Sequence, residues 1–309
     1  MRIGTSTTLY LRRRGETKNR RYIEQLKFCC ESGFKVFDFC GYFSTRAAAE
    51  DELSKDNWKD TIYNLANEAT KLGAEFSQSH LPFHDYMFIN GKQPTDEIKS
   101  LYAEMSYRTI EASRMLGVKW TTIHPLTDNI HAEWNNEVNV KSTKEYYAPF
   151  IERAISSNIG VCYENMFAHN ALNPLDPIRR RYCASAEELC ELVDSYNSDK
   201  IGVTWDFGHS RIMGHADQSR ELEYIGKRLR STHVQDNNGK KDSHLIPFIG
   251  GEIRWEKIMP TLKKIEYEGD FVLEAHAFMY NMPDELCRDA ALLAYKLTEK
   301  CILLYDQAQ

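Results

Sequence analysis

No two of the eight cysteines stand at CxxC spacing, and their intervals lack the compact form of a disulfide framework. That argues against a structural zinc knot and against a small stapled secreted domain. Cys29 and Cys30 fall side by side in a helical pattern and Cys162 in an apolar strand pattern, so the thiols read as reduced and structural. Long apolar runs are missing too. The opening MRIGTSTTLYLRRR holds none that suits a signal peptide, and no later stretch approaches the length of a membrane span. A cytoplasmic protein without membrane contact is the expectation. There is no basic surplus either. The net charge is −6, which weighs against a dedicated nucleic-acid binder, whose domain carries a basic excess. No linker-like or low-complexity tract divides the chain. Its 309 residues suffice for one large α/β domain, and a single domain over 1–309 fits best.

What is present is alternation. Short β-rich runs read as strands at Ile3–Thr7, Val36–Phe39, Glu75–His80, Trp120–His124, Gly160–Glu164, Ile201–Asp206, Ser231–Gln235 and Phe271–Glu274. Amphipathic runs lie between them. Asn19–Ser32 carries Tyr22, Ile23, Leu26 and Cys30 on one stripe, and Pro94–Leu116 repeats the 3.6-residue rule through Ile98, Leu101, Met105, Ile110 and Met115. Ser185 with Glu188 three residues on has capping-box spacing. Gly33, Gly73 and Gly117 each follow a helical run and suit a left-handed cap. Eight strands alternating with helices imply parallel βαβ units. A closed α/β barrel is favoured over an open sheet, because polar residues end strand after strand. An open sheet gathers its ligands at one switch point, whereas a barrel brings every strand end to one mouth.

Those strand ends hold the chemistry. The third ends in SQSHLPFHD, offering His80 with His84 nearby, and the fourth in TTIHP, offering His124. The fifth is GVCYEN with Glu164, and the sixth GVTWDFGH with Asp206 and His209. The seventh, STHVQDNNGKKDSH, offers His233 and, past a turn, Asp242 and His244; the eighth, FVLEAH, offers Glu274. A single histidine at such a place is as readily structural as functional. Glu164 and Glu274 differ, because each follows an apolar run. A buried carboxylate without a partner costs several kcal/mol, and no basic residue on those two strands supplies one. A bound cation is the natural partner. Carboxylate and imidazole donors together suit Mn²⁺, Zn²⁺, Co²⁺ or Fe²⁺.

The combination YEN, TWDFGH, HVQDNNGKKDSH…GGEIRW and LEAH resembles the xylose isomerase-like TIM-barrel superfamily over essentially the whole chain. That group includes sugar and sugar-phosphate isomerases and epimerases, dehydratases, and endonuclease IV-type AP endonucleases (AP endonuclease family 2). The resemblance implies a (β/α)8 TIM barrel. In its ketose 3-epimerases one metal is held by four groups on strands five to eight, which match Glu164, Asp206, His233 and Glu274. A substrate-binding histidine three residues after the aspartate matches His209. The arginine usual after the strand-seven histidine is replaced here by Gly239, Lys240 and Lys241. The endonuclease branch uses nine ligands for three zinc ions. All nine types have a counterpart: His80 (or His84), His124, Glu164, Asp206, His209, His233, Asp242, His244 and Glu274.

The reading that follows is a metal-dependent isomerase or epimerase of a sugar, sugar phosphate or related polyol ketone, working through an enediolate. Glu164 and Glu274 are the catalytic pair, His209, His124 and His80 bind substrate, and Asp242 and His244 are candidates for a further metal. The cofactor is a divalent ion, Mn, Zn or Co. The partner is a small carbohydrate rather than nucleic acid, and homo-oligomer formation stays open. A sugar-acid or inosose dehydratase is the alternative, with the nuclease third. Arg12–Arg14 and Arg179–Arg181 follow the first and fifth strands, so both lie on the catalytic face, as solvated loops or as an anion clamp. The aromatics Tyr10, Tyr42, Phe43, Trp205, Phe278 and Tyr280 suit a sugar wall or ordinary packing. Asp38, ending the second strand, has no assigned role.

Overall fold

The computed structural model describes residues 1–11, 14, 16, 19–40, 51–82, 95–127, 134–168 and 180–308. Eight strands run β1 (Ile3–Ser6), β2 (Val36–Cys40), β3 (Glu75–His80), β4 (Trp120–Ile123), β5 (Gly160–Glu164), β6 (Ile201–Asp206), β7 (Leu229–His233) and β8 (Phe271–Leu273). They pair in parallel in the order β7-β6-β5-β4-β3-β2-β1-β8. The ring closes through a parallel bridge between Val234 and Leu273. There the Val234 N–H donates to the Val272 carbonyl at 2.8 Å, and the Glu274 N–H donates to the Val234 carbonyl at 2.8 Å. The fold is therefore a (β/α)8 TIM barrel.

Every residue of β2, β5 and β6 is buried, as strands covered on both faces must be. The period of two then sorts their side chains. Tyr163 and Trp205 pack outward, Tyr163 against Tyr196 (hydroxyls 2.6 Å apart) and Trp205 with its indole N–H donating to Gln218 Oε1 at 2.8 Å. Their neighbours Cys162, Glu164, Thr204 and Asp206 point to the barrel axis. The interior carries a layer of hydroxyls, with Thr122 and Thr204 bonded across the barrel at 2.8 Å and Thr204 bonded on to Ser231 at 2.5 Å. These satisfy one another, so a polar filling costs little.

Strand boundaries moved by one or two residues, several of them for a visible reason. The first strand stops at Ser6, whose hydroxyl caps the 3-10 turn Thr7–Tyr10 by accepting from the Thr8 N–H. The fourth stops at Ile123; the next carbonyl, of His124, turns out of the ladder to accept from the Tyr147 hydroxyl at 2.8 Å. The seventh begins at Leu229, which pairs with Val203, and the register shifts before the next pair, Thr204 with Ser231, so that Arg230 is the extra residue of a bulge. The helices start later than their patterns, at Tyr22 and Asp96. Gly33, Gly73 and Gly117 all take positive φ after a helix. Ser185 caps the helix Ala186–Asp194 by accepting from the Glu188 N–H. Glu188 pairs with Arg180 instead of returning to the cap. All eight cysteines are buried and unpaired. No helix among the described residues is long and apolar enough to cross a membrane.

Candidate active site and metal centre

Glu164, Asp206 and His233 are the last residues of β5, β6 and β7, and Glu274 follows β8. All four are buried; Glu274, the most open, is 5 % exposed. One ligand atom from each lies within 4.8 Å of the others. His233 Nδ1 stands 2.9 Å from Glu164 Oε1 and 3.4 Å from Glu274 Oε2. Asp206 does two jobs. Its Oδ1 accepts from the His209 N–H at 2.7 Å, capping the short helix Phe207–Ile212, which leaves Oδ2 turned to the site. Asn165 holds it there: its amide oxygen accepts from the Asp206 N–H at 2.6 Å, and its amide nitrogen donates to the Asp206 carbonyl at 2.9 Å.

Glu164 is the hub. Its Oε2 meets His124 Nε2 at 3.0 Å and His80 Nε2 at 3.3 Å, and its Oε1 meets His233 and, at 3.5 Å, His209 Nδ1. Burial raises its pKa, but His233 and His124 outweigh burial and hold it well below the usual range. Glu274 goes the other way. Burial lifts it to about 7; His233 and His244 oppose the rise, and crowding by Glu164 and Asp206 adds to it. Asp206 is also raised, by burial first. Three buried carboxylates converging at this density fit a divalent transition ion, and the donor set of carboxylates and imidazole with no thiolate agrees.

Two further groups flank this centre. His80 and His124 face each other with Nε2 atoms 3.2 Å apart over Glu164, and His80 Nδ1 bonds the Leu81 carbonyl at 2.6 Å. On the other side Asp242 Oδ2 lies 2.8 Å from His244 Nε2 and 3.5 Å from His209 Nε2. His244 Nδ1 donates to the Glu274 carbonyl at 2.9 Å. Every described candidate thus lies at one mouth. His84, Tyr42, Phe43, Arg12, Arg13 and Arg179 fall outside the described residues. Arg181 reaches the rim, its guanidinium 5.4 Å over the Phe167 ring, which itself packs 4.6 Å from His209. Arg180 turns away onto Trp134, 4.1 Å from its ring, and onto Glu188. Trp205 is barrel packing, not a sugar wall. Tyr10 stacks on Phe28 with centroids 3.6 Å apart.

Sequence reasoning passed over Gln235, His276 and the role of Asn165. Gln235 donates to both oxygens of Asp206, at 3.3 and 3.4 Å, and to Asp242, and accepts from the His244 N–H at 3.2 Å. It ties the post-β7 loop to β6. His276 packs its ring 3.9 Å from that of His244. Both stand in motifs already legible, HVQD and LEAH, but an amide carries no metal signal, and a second histidine beyond a glutamate is not distinctive.

The cluster sets a pH response in the metal-free protein. Burial opposes a charged His209, but Asp206 and Asp242 overcome it and raise the ring to about 9. Asp242 likewise carries His244 to about 10 against burial. Both lie above the unfolded value of 6.5. Their stabilisation is therefore complete below that value and is lost as pH rises through the folded values. We expect the thermal midpoint of metal-free protein to fall between pH 7 and pH 9.5. A midpoint that holds or rises across that window would show that the rings are not charged in the fold.

The family model described as xylose isomerase-like TIM barrel matches residues 26–294. An uncharacterized protein of Methanocaldococcus jannaschii is 28% identical over 199 residues, 63% of this chain and 62% of its own length. This chain therefore spans less than two thirds of that relative. An uncharacterized protein of Sinorhizobium fredii is 28% identical over 279 residues, covering 86% of this chain and 81% of the relative. Among solved structures, a D-tagatose 3-epimerase-like protein superposes with a TM-score of 0.72 at 20% identity, with 99% of each chain covered. An IOLI protein with a binding zinc atom gives 0.72 at 18% identity, again with 99% of each covered. D-psicose 3-epimerase from Clostridium cellulolyticum H10 gives 0.70 at 13% identity, covering 98% of this chain and 99% of that one. At these identities the likeness is one of fold.

Proposed function

This chain belongs to the xylose isomerase-like TIM-barrel family, and from that premise we propose that it is a metal-dependent isomerase or epimerase of a carbohydrate-like carbonyl compound. The observation that carries the reading is the facing pair, Glu164 and Glu274, whose oxygens meet at His233 Nδ1 from strands on different sides of the mouth. A divalent ion held by Glu164, Asp206, His233 and Glu274 would supply Lewis acidity at the substrate's carbonyl and hydroxyl oxygens. The residues do the rest. One glutamate takes the proton from the carbon beside the carbonyl, and the other delivers a proton to the neighbouring or the same carbon. His209, fixed by its Nδ1–H donating to the Asn165 carbonyl at 2.7 Å, presents Nε2 to a substrate oxygen. His80 and His124 bound the pocket on the Glu164 side. The sugar 3-epimerases that share the fold support this class.

A second reading has its own support. The groups His80–His124–Glu164 and His209–Asp242–His244 give the mouth as many potential ligands as the endonuclease branch uses, so a nuclease acting at abasic sites stays in the comparison. A dehydratase would use the same centre and expel a hydroxyl. One experiment separates the three: a metal-supplemented screen of ketoses, ketose phosphates and inososes, with product identification, run beside incision of a duplex carrying an abasic site. An isomeric product of unchanged mass is the expected result. Loss of water would replace the isomerase with the lyase. Strand cleavage without sugar turnover would replace it with the nuclease.

A further inference from the structure

His233 has two ring nitrogens, and only one can face an ion. Nδ1 faces Glu164 and Glu274. Nε2 points across the barrel to Asp38 Oδ2 at 3.2 Å. Asp38 is 2 % exposed, and its Oδ2 also accepts from Gln78 Nε2 at 2.8 Å. Gln78 Nε2 lies 3.3 Å from the carbonyl of Thr232, the residue before His233. Asp38 on β2, Gln78 on β3 and His233 on β7 are thus joined through the barrel interior, far apart in sequence and on strands that are not all neighbours. The Asp38 Oδ1 has no hydrogen-bond partner among the described residues, so this buried carboxylate is placed at some cost. A purely structural role does not call for a charge there.

We propose that Asp38 is a positioning residue for the metal centre. It takes the Nε2–H of His233 and so leaves the Nδ1 lone pair for the ion, while Gln78 locks the carboxylate in place. With an ion on Nδ1 the proton left on His233 sits on Nε2, where Asp38 Oδ2 accepts it. Without Asp38 the ring is free to carry its proton on Nδ1, the one tautomer that cannot bind, and to rotate. Such carboxylate–histidine–metal relays tune affinity by about 10–100-fold. This inference rests on the metal reading above, but it concerns ion binding rather than turnover.

The test is titration of the metal-free full chain with Co²⁺, followed by visible absorbance and by competition with a chromophoric chelator. We expect Asp38→Ala to weaken Co²⁺ binding by about 10–100-fold and to alter the ligand-field spectrum. Asp38→Asn, which keeps the volume and one accepting oxygen, should weaken it less. Phe39→Leu is the control. It opens a buried cavity on the opposite face of the same strand, where Phe39 packs against Tyr22 and Phe76, so it should lower the thermal midpoint and leave affinity and spectrum intact. Wild-type affinity and spectrum in Asp38→Ala would overturn the inference alone. So would equal weakening by Phe39→Leu, which would mark a general packing effect. A wild type that binds no Co²⁺ would overturn this inference and the metal reading together.

Discussion

Glu164→Gln and Glu274→Gln should each lower turnover of a carbonyl substrate by at least ~10²-fold, the range of lost general-base catalysis. The exchange keeps the shape and removes the charge. The two variants should part company in stability. Glu164 receives His80, His124, His209 and His233, and an amide there sets an N–H group against imidazoles chosen for a carboxylate. Glu274 stands farther from its histidine, 3.4 Å from His233 Nδ1, so its exchange should cost less in folding. The double variant should be scarcely slower than the worse single one, because residues acting as a unit do not add. Measuring metal content alongside separates lost proton transfer from lost binding. Near-wild-type activity in either variant, with metal retained, would remove that glutamate from the reaction.

Stripping the ion should reduce turnover to background and lower the melting temperature, and Mn²⁺, Co²⁺ or Zn²⁺ should restore both. A ligand that binds only the folded chain stabilises it by about 4 kcal/mol when present at a thousandfold its Kd. For a chain of this size that amounts to roughly 6 °C. The gain should be largest above neutral pH, where Glu274 has already lost its proton; below about 7 that proton competes with the ion. Calorimetry of chelator-treated and reloaded protein, with elemental analysis, reads both effects. Protein that arrives without metal and shows no shift with any of the three ions would end the metal-dependent reading.

Most of the barrel was legible because its signals are local. Alternation of strand and helix, the glycines at 33, 73 and 117, and the carboxylates ending apolar runs each occupy a few adjacent residues. So did the nine strand-end groups, which the fold brings to one mouth. What escaped depends on partners distant in the chain. Asp38 gains a role only because β2 and β7 face each other across the interior. Gln235 matters because Asp206 and Asp242 flank it in space. Strand ends shifted where a bulge or a cap competed with the ladder, as at Arg230 and Ser6, and no short-range pattern announces either. The arginine run after β5 shows the same limit, since only the fold separates Arg181 at the rim from Arg180 turned onto Trp134.

The joint between β7 and β8 rests on one bridge, where the other strand pairs share three to five registered residues. His233 stands on one side of that joint and Glu274 on the other. An ion gripped by both would be a clasp across the thinnest part of the ring. Opening the barrel there dismantles the ligand set, and a barrel not yet closed has no ligand set to offer. During synthesis the donors stay incomplete until the eighth strand has left the ribosome. Ion capture would then come last in assembly, and sealing the barrel and arming the site would become one event.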